Sequence, residues 1–125
     1  MTAYEVAKEF QKINKQLKLH IVGSVARKEE NPHDLDFITH LTLPNGKKVY
    51  HTKFKNFKID IWQYPNIKIG KFIRTTDKGH LIAIYKGLKK NGWKLTNEGI
   101  LNLKTDKLVP FTEKKIIKLS NINIS

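Results

Sequence analysis

The chain has no cysteine, which excludes disulfide scaffolds, cysteine-based zinc sites and thiol catalysis. It also has no apolar run of about 18 residues or more, so no transmembrane helix is expected. The first residues carry Glu5 and Glu9 in a helical pattern and lack the apolar stretch of a secretory leader. No linker rich in Pro, Gly or Ser, no internal repeat and no low-complexity segment interrupts the 125 residues. Acidic side chains are scarce, 11 Asp and Glu against 24 Lys and Arg, for a net charge of +13. Apolar residues make up 39%, below the ~45–50% of an average domain but enough for one modest core. These absences lead us to expect a soluble cytoplasmic protein with no membrane partner.

The positive excess makes polyanions the leading class of partner, because lysines that neutralise phosphates release counterions. The charge is uneven: residues 1–67 hold 11 basic and 7 acidic side chains, and residues 68–125 hold 13 and 4. A lysine-rich solvated surface is the plainer alternative, so charge alone names no reaction.

Thr2-Ala3-Tyr4-Glu5 reads as a capping box, and Val6, Phe10, Ile13 and Leu17 recur at helical spacing, which predicts an amphipathic helix over 3–16. Leu19 to Val22 reads as a short strand. Gly23-Ser24 breaks it and opens a second helix through about Glu30, ended by Asn31-Pro32. Residues 34–43 are β-like, with a hairpin turn at Pro44-Asn45-Gly46. Val49–Phe54 and Phe57–Trp62 continue the sheet with a break near Asn56. Asp77 is an N-cap for a helix carrying Leu81, Ile84, Tyr85 and Leu88, stopped by Asn91-Gly92. Hairpins are expected at Asn97-Glu98-Gly99 and Thr105-Asp106-Lys107, and Thr112 caps a last helix holding Ile116, Ile117 and Leu119. The order predicts an α+β fold with a small appendage.

Asp34-Leu35-Asp36 carries the most chemical information. On a strand, positions i and i+2 share a face, so both carboxylates project together while Leu35 and Phe37 face a core. Adjacent like charges raise each other's pKa unless a cation lies between them, and a hard divalent ion prefers carboxylate oxygens. Lys58-Ile59-Asp60-Ile61-Trp62 sets a further acid among β-branched core residues, where an isolated charge is expensive. If the two strands are neighbours, Asp34, Asp36 and Asp60 form the ligand set of a two-metal site. Gly23-Ser24, at a strand-to-helix junction, would offer amides and a hydroxyl to phosphates, with Arg27 as a forked cation. The five histidines show no metal-ligand spacing. Trp62 is expected in the core, and Trp93 is a candidate for base stacking.

Gly23-Ser24, then Asp34-Leu35-Asp36, then Asp60 resembles the signature of the polymerase-beta-like nucleotidyltransferase superfamily. Within it, the chain is similar to family X DNA polymerases, above all the small viral members that lack the N-terminal domains. Arg74-Thr75-Thr76 before Asp77 stands where that family has a short nucleotide-binding turn. Gly92-Trp93-Lys94-Leu95, Leu108-Val109-Pro110 and Thr112 to Ile117 look like its thumb, so the resemblance covers roughly residues 17–120. It implies a nucleotidyltransferase palm over 1–66, a mixed β-sheet with helices on one face, followed by a small α/β thumb over 67–125.

The resemblance further implies an Mg2+-dependent enzyme, with two ions (or Mn2+ in their place) held by Asp34, Asp36 and Asp60, which are also the catalytic residues. Gly23, Ser24, Arg27, His33, Arg74, Thr75, Asp77 and His80 would contact the nucleoside triphosphate. Lys86, Lys89, Lys90 and Lys94, with Lys114, Lys115 and Lys118, would hold DNA as primer–template or gapped duplex, alone or helped by a protein partner. The expected activity is addition of deoxynucleotides to a primer 3′-hydroxyl, with pyrophosphate released, in repair or gap filling. Two departures stand out: Ala26 replaces one of the two basic residues usual after Gly-Ser, and His33 replaces the glycine common before the first Asp. A minimal nucleotidyltransferase of the toxin–antitoxin type, acting on protein or RNA, is the alternative. A catalytically silent nucleic-acid-binding module is a third reading, disfavoured by three clustered acids that would repel phosphate.

Overall fold

The computed structural model describes residues 2–121. The chain divides into two compact units, residues 1–75 and residues from Thr76 onward. The expected boundary after residue 66 is therefore corrected: the following helix packs within the first unit.

In the first unit, helix α1 (Ala3–Ile13) begins at the Thr2–Glu5 capping box and buries Val6, Ala7 and Phe10. It stops short of residue 16, and Lys15–Leu17 forms a separate 3-10 turn because Lys18 takes a left-handed conformation, φ 49°. Strand β1 (His20–Val22) runs into a four-residue helix α2 (Gly23–Ala26). Helix α2 does not reach Glu30, since Lys28 and Asn31 turn the backbone to φ 59° and 52°. Strands β2 (Asp34–Thr39), β3 (Val49–Phe54) and β4 (Phe57–Gln63) complete a mixed sheet in the order β1-β2-β4-β3.

The turn at Gly46 forms, its amide bonding Leu43 O at 2.9 Å, but it joins no hairpin. Strand β2 pairs in parallel with β4, and β3 lies outside β4. The true hairpin is β3–β4. Lys55 and Asn56, both at positive φ, make a tight turn of the primed kind that matches strand twist.

Strand alternation then divides the sheet. Leu35, Phe37, Ile59 and Ile61 face one side and pack on α1, where the Phe10 and Phe37 rings lie 5.2 Å apart. Val22 and Ile38 face the other, joining Tyr64 and, from helix α3 (Ile67–Thr75), Ile67 and Ile73. Helices thus cover both faces, not one. Helix α3 was not expected. Asn66 caps it, its side-chain oxygen accepting from the Ile69 amide at 3.2 Å, and Gly70 lets it approach Tyr64 and Ile38 closely.

The second unit opens with α4 (Lys78–Lys90), capped by Asp77 and ended at Asn91. Strands β5 (Trp93–Leu95), β6 (Ile100–Asn102) and β7 (Leu108–Val109) form an antiparallel meander, and α5 (Glu113–Ser120) starts at the Thr112 cap. Both expected hairpins and both caps are present; the strand order is antiparallel, so the unit is α+β rather than α/β. Ile84, Leu88, Ile100 and Ile116 are buried. No helix among the described residues is long and apolar enough to cross a membrane.

Candidate active site

The parallel register of β2 and β4 sets Asp36 directly beside Asp60 and Asp34 beside Lys58. Residues opposite each other in register share a face, so the three carboxylates project from the side of the sheet that α1 does not cover. Asp60 is buried at 7% exposure, and Asp34 and Asp36 are half-buried. On the far flank, β3 aligns His51 with Asp60, and its Nδ1 lies 2.5 Å from Asp60 Oδ1. His51 is the partner of the buried acid, and the sequence reading missed it. The hairpin could have revealed it: a two-residue turn opposes Phe54 to Phe57, and counting outward opposes His51 to Asp60.

Burial is the main force on the Asp36 carboxyl, followed by repulsion from Asp60 and Asp34; together they push its pKa from 3.8 to about 6. Arg74 and Arg27 pull the other way. Three carboxylates thus share this face with two arginines, an excess of one acidic side chain. That excess fits a divalent cation, since carboxylate oxygens are the donors Mg2+ prefers. Among the described residues, no group of three or more His, Asp or Glu side chains is arranged to hold a metal ion.

An open cleft of about 420 Å³ adjoins this face, lined in part by Gly23, Ser24, Arg27, Asp34, Asp36 and Arg74. Gly23 is at φ +72°, and a β-carbon there would collide with the Asp36 carboxylate, so glycine is what lets the β1–α2 junction close on the acid. His33, exposed, and half-buried Trp62 also line the cleft. A larger concavity of about 910 Å³, lined by Tyr4, Val25, Pro32 and Phe57 among others, contains none of the three acids. Size alone does not locate the chemistry here.

Several expected contacts are arranged otherwise. Ser24 lies in a helix of only four residues, so its contribution is a hydroxyl at a junction rather than the dipole of a full helix. Arg27 is engaged with Glu29, Nη2 to Oε2 at 2.6 Å, and reaches Thr75 O at 3.4 Å. That pair is solvent-accessible and weak, so a phosphate could displace the carboxylate. Arg74 and Thr75 do not form a turn but end α3. Arg74 lies 4.1 Å from the Trp62 ring centre and donates from Nε to the Tyr64 hydroxyl at 2.9 Å. Cation–π contact and hydrogen bond fix the guanidinium in the cleft wall, and Trp62 is as much its platform as a core residue.

The remaining expected contacts belong to the second unit. Asp77 Oδ2 accepts from the Gly79 amide at 3.1 Å, an ordinary cap, and His80 is exposed in the first turn of α4. Lys86, Lys89 and Lys90 on α4 and Lys94 on β5 are all exposed. Comparison with protein-family models and with curated proteins finds no match to this chain.

Proposed function

We propose that the chain is a divalent-metal-dependent nucleotidyltransferase of the polymerase-beta-like kind, acting as a minimal DNA polymerase of family X type. The observation that carries this reading is the in-register pair Asp36–Asp60, with Asp34 two residues away, beside a cleft walled by Gly23, Ser24 and Arg74. The first unit serves as the palm and the lysine-rich second unit as the thumb. A cytoplasmic setting, where nucleoside triphosphates are plentiful, goes with it.

Asp34, Asp36 and Asp60 would hold two Mg2+ ions, or Mn2+ in their place, which when bound neutralise charge on the attacking and departing oxygens. The Ser24 hydroxyl and the Arg74 guanidinium bind the triphosphate, and Arg27 joins them on leaving Glu29. His51 orients Asp60 through Oδ1, and Asp60 helps take the proton from the acceptor hydroxyl. The 3′-oxygen forms a bond to the α-phosphorus in line with the bond that breaks, and pyrophosphate leaves. The ten lysines of the second unit, against four acidic residues, favour a DNA acceptor over a protein one.

The test is incubation with Mg2+, labelled deoxynucleotides and either a primer–template or a gapped duplex. Template-matched extension is expected, and Asp60→Asn should reduce it by about 10²–10⁴-fold, the usual range for a lost general base. Incorporation near the native rate in Asp60→Asn would remove the reading. Label found only on protein or RNA would move it to the toxin–antitoxin type of nucleotidyltransferase.

A further inference from the structure

Helix α4 turns Ile84 and Leu88 inward but leaves Ile82 at 44% and Tyr85 at 39% exposure. Ile82, Tyr85, Lys86 and Lys89 follow the i, i+3, i+4, i+7 spacing that aligns side chains along one helix face. Tyr85, expected with the core residues of this helix, instead lines a groove.

The groove holds about 410 Å³, within the ~300–1,000 Å³ common for small-ligand sites. Tyr85 and Leu88 from α4, Trp93 and Leu95 from β5, and Leu103 line it, together with Lys89 and Lys94. Leu103 is 47% exposed, so one wall is open to solvent. Lys86, Lys89, Lys90 and Lys94 are exposed, and among the described residues none of them takes part in an ion pair. The acids of this unit lie elsewhere: Asp77 caps α4, Glu113 opens α5, and Glu98 and Asp106 occupy the two hairpin turns.

An apolar, aromatic-walled groove with uncompensated cations around it selects a ligand with a flat π surface and attached anions. A neutral apolar peptide would leave the lysines unanswered. A duplex presents phosphates but keeps its bases in the stack, away from Trp93. An unpaired base on a phosphodiester strand satisfies both halves at once, the combination by which proteins hold single strands.

We infer that this groove binds an unpaired base of a single-stranded nucleic acid, stacked on Trp93 and Tyr85, with the flanking phosphates on Lys86, Lys89 and Lys94. The inference stands on the second unit alone and does not require nucleotidyl transfer.

The experiment measures fluorescence anisotropy of a labelled oligothymidylate of about ten nucleotides with the full chain, against an abasic strand of equal length. The base-bearing strand should bind about tenfold more tightly at one fixed salt concentration. Leu103→Glu, which adds a negative charge at the exposed wall, should abolish most of that preference, while Ile13→Glu on α1 should leave it. Tyr85→Ala, which removes a stacking ring at a side chain 39% exposed, provides the same test if Leu103→Glu melts early. Equal binding of the abasic strand, or a preference that survives both groove variants, overturns the inference. So does thymidine monophosphate competing as well as the strand, which would make this a mononucleotide site. Groove-dependent binding of polyglutamate, or a dimer that Leu103→Glu dissolves, would instead assign the groove to an acidic polypeptide or a second copy.

Discussion

Replacing Asp36 by asparagine separates what the carboxylate face costs from what it does. The Asp36 carboxyl is raised from 3.8 to about 6, chiefly by burial and then by Asp60 and Asp34. Between those two values the folded chain binds more protons than the unfolded one, so stability falls as pH rises through that window. The contribution is complete below about 3.8 and gone above about 6. At 1.36 kcal/mol per pKa unit the shift corresponds to about 3 kcal/mol, and solvent screening of a half-buried group reduces the usable part to about 1–1.5 kcal/mol. Asparagine keeps the shape and removes the charge. Asp36→Asn should therefore be more stable than the native chain by about 1–1.5 kcal/mol near pH 7.5, and the two should converge near pH 4. For a unit of this size the gain corresponds to a rise of roughly 4–12 °C in Tm. Millimolar Mg2+ should raise the native Tm near pH 7.5 and leave the variant almost unmoved. Thermal melts across this pH range, with and without MgCl2, measure all of it. No gain near pH 7.5, or a gain that does not change with pH, would show that Asp36 bears no unrelieved charge.

Gly23→Ala puts a β-carbon into the Asp36 carboxylate at a backbone φ of +72°, and urea unfolding should show a loss of about 1–3 kcal/mol. His51→Ala removes the hydrogen bond to the buried Asp60; a loss of about 1 kcal/mol is expected in the same assay, and an unchanged midpoint would mean that water replaces the imidazole fully.

Local chemistry made the helix starts readable. Thr2 with Glu5, Asp77 and Thr112 each bond an amide two or three residues on, and the signal and its effect lie within one turn. The β3–β4 hairpin was misplaced: Pro44-Asn45-Gly46 carries the stronger turn composition, while Lys55-Asn56, which makes the hairpin, looked like a break in the sheet. The parallel pairing of β2 with β4 was not readable, because β3 intervenes in sequence and no local feature records which strand it leaves room for. Helix α3 was hidden differently. Ile67-Lys68-Ile69 alternates like a strand, and Gly70 disfavours a helix, yet that glycine is what allows the helix to rest on Tyr64 and Ile38. Tertiary packing overrode local preference there.

The candidate site divides along the same line. Strand alternation identifies Asp34 and Asp36 as one face, but the neighbours that complete it come from elements whose positions are tertiary: Asp60 from β4, Arg74 from α3 and His51 from an edge strand. Without the last two the sequence suggests a bare acid cluster; with them it is a cluster partly but not wholly compensated. The remainder is informative. Among the described residues, no buried side-chain nitrogen or oxygen is left without a hydrogen-bond partner, so the fold is otherwise well satisfied. A chain shaped by stability alone would relieve Asp36 with asparagine, at no cost in volume. His20 is likewise disfavoured in its charged form, by burial and then by Lys71 and His40, so a raised Asp36 carboxyl argues for a ligand only if Mg2+ stabilises the native chain and not Asp36→Asn.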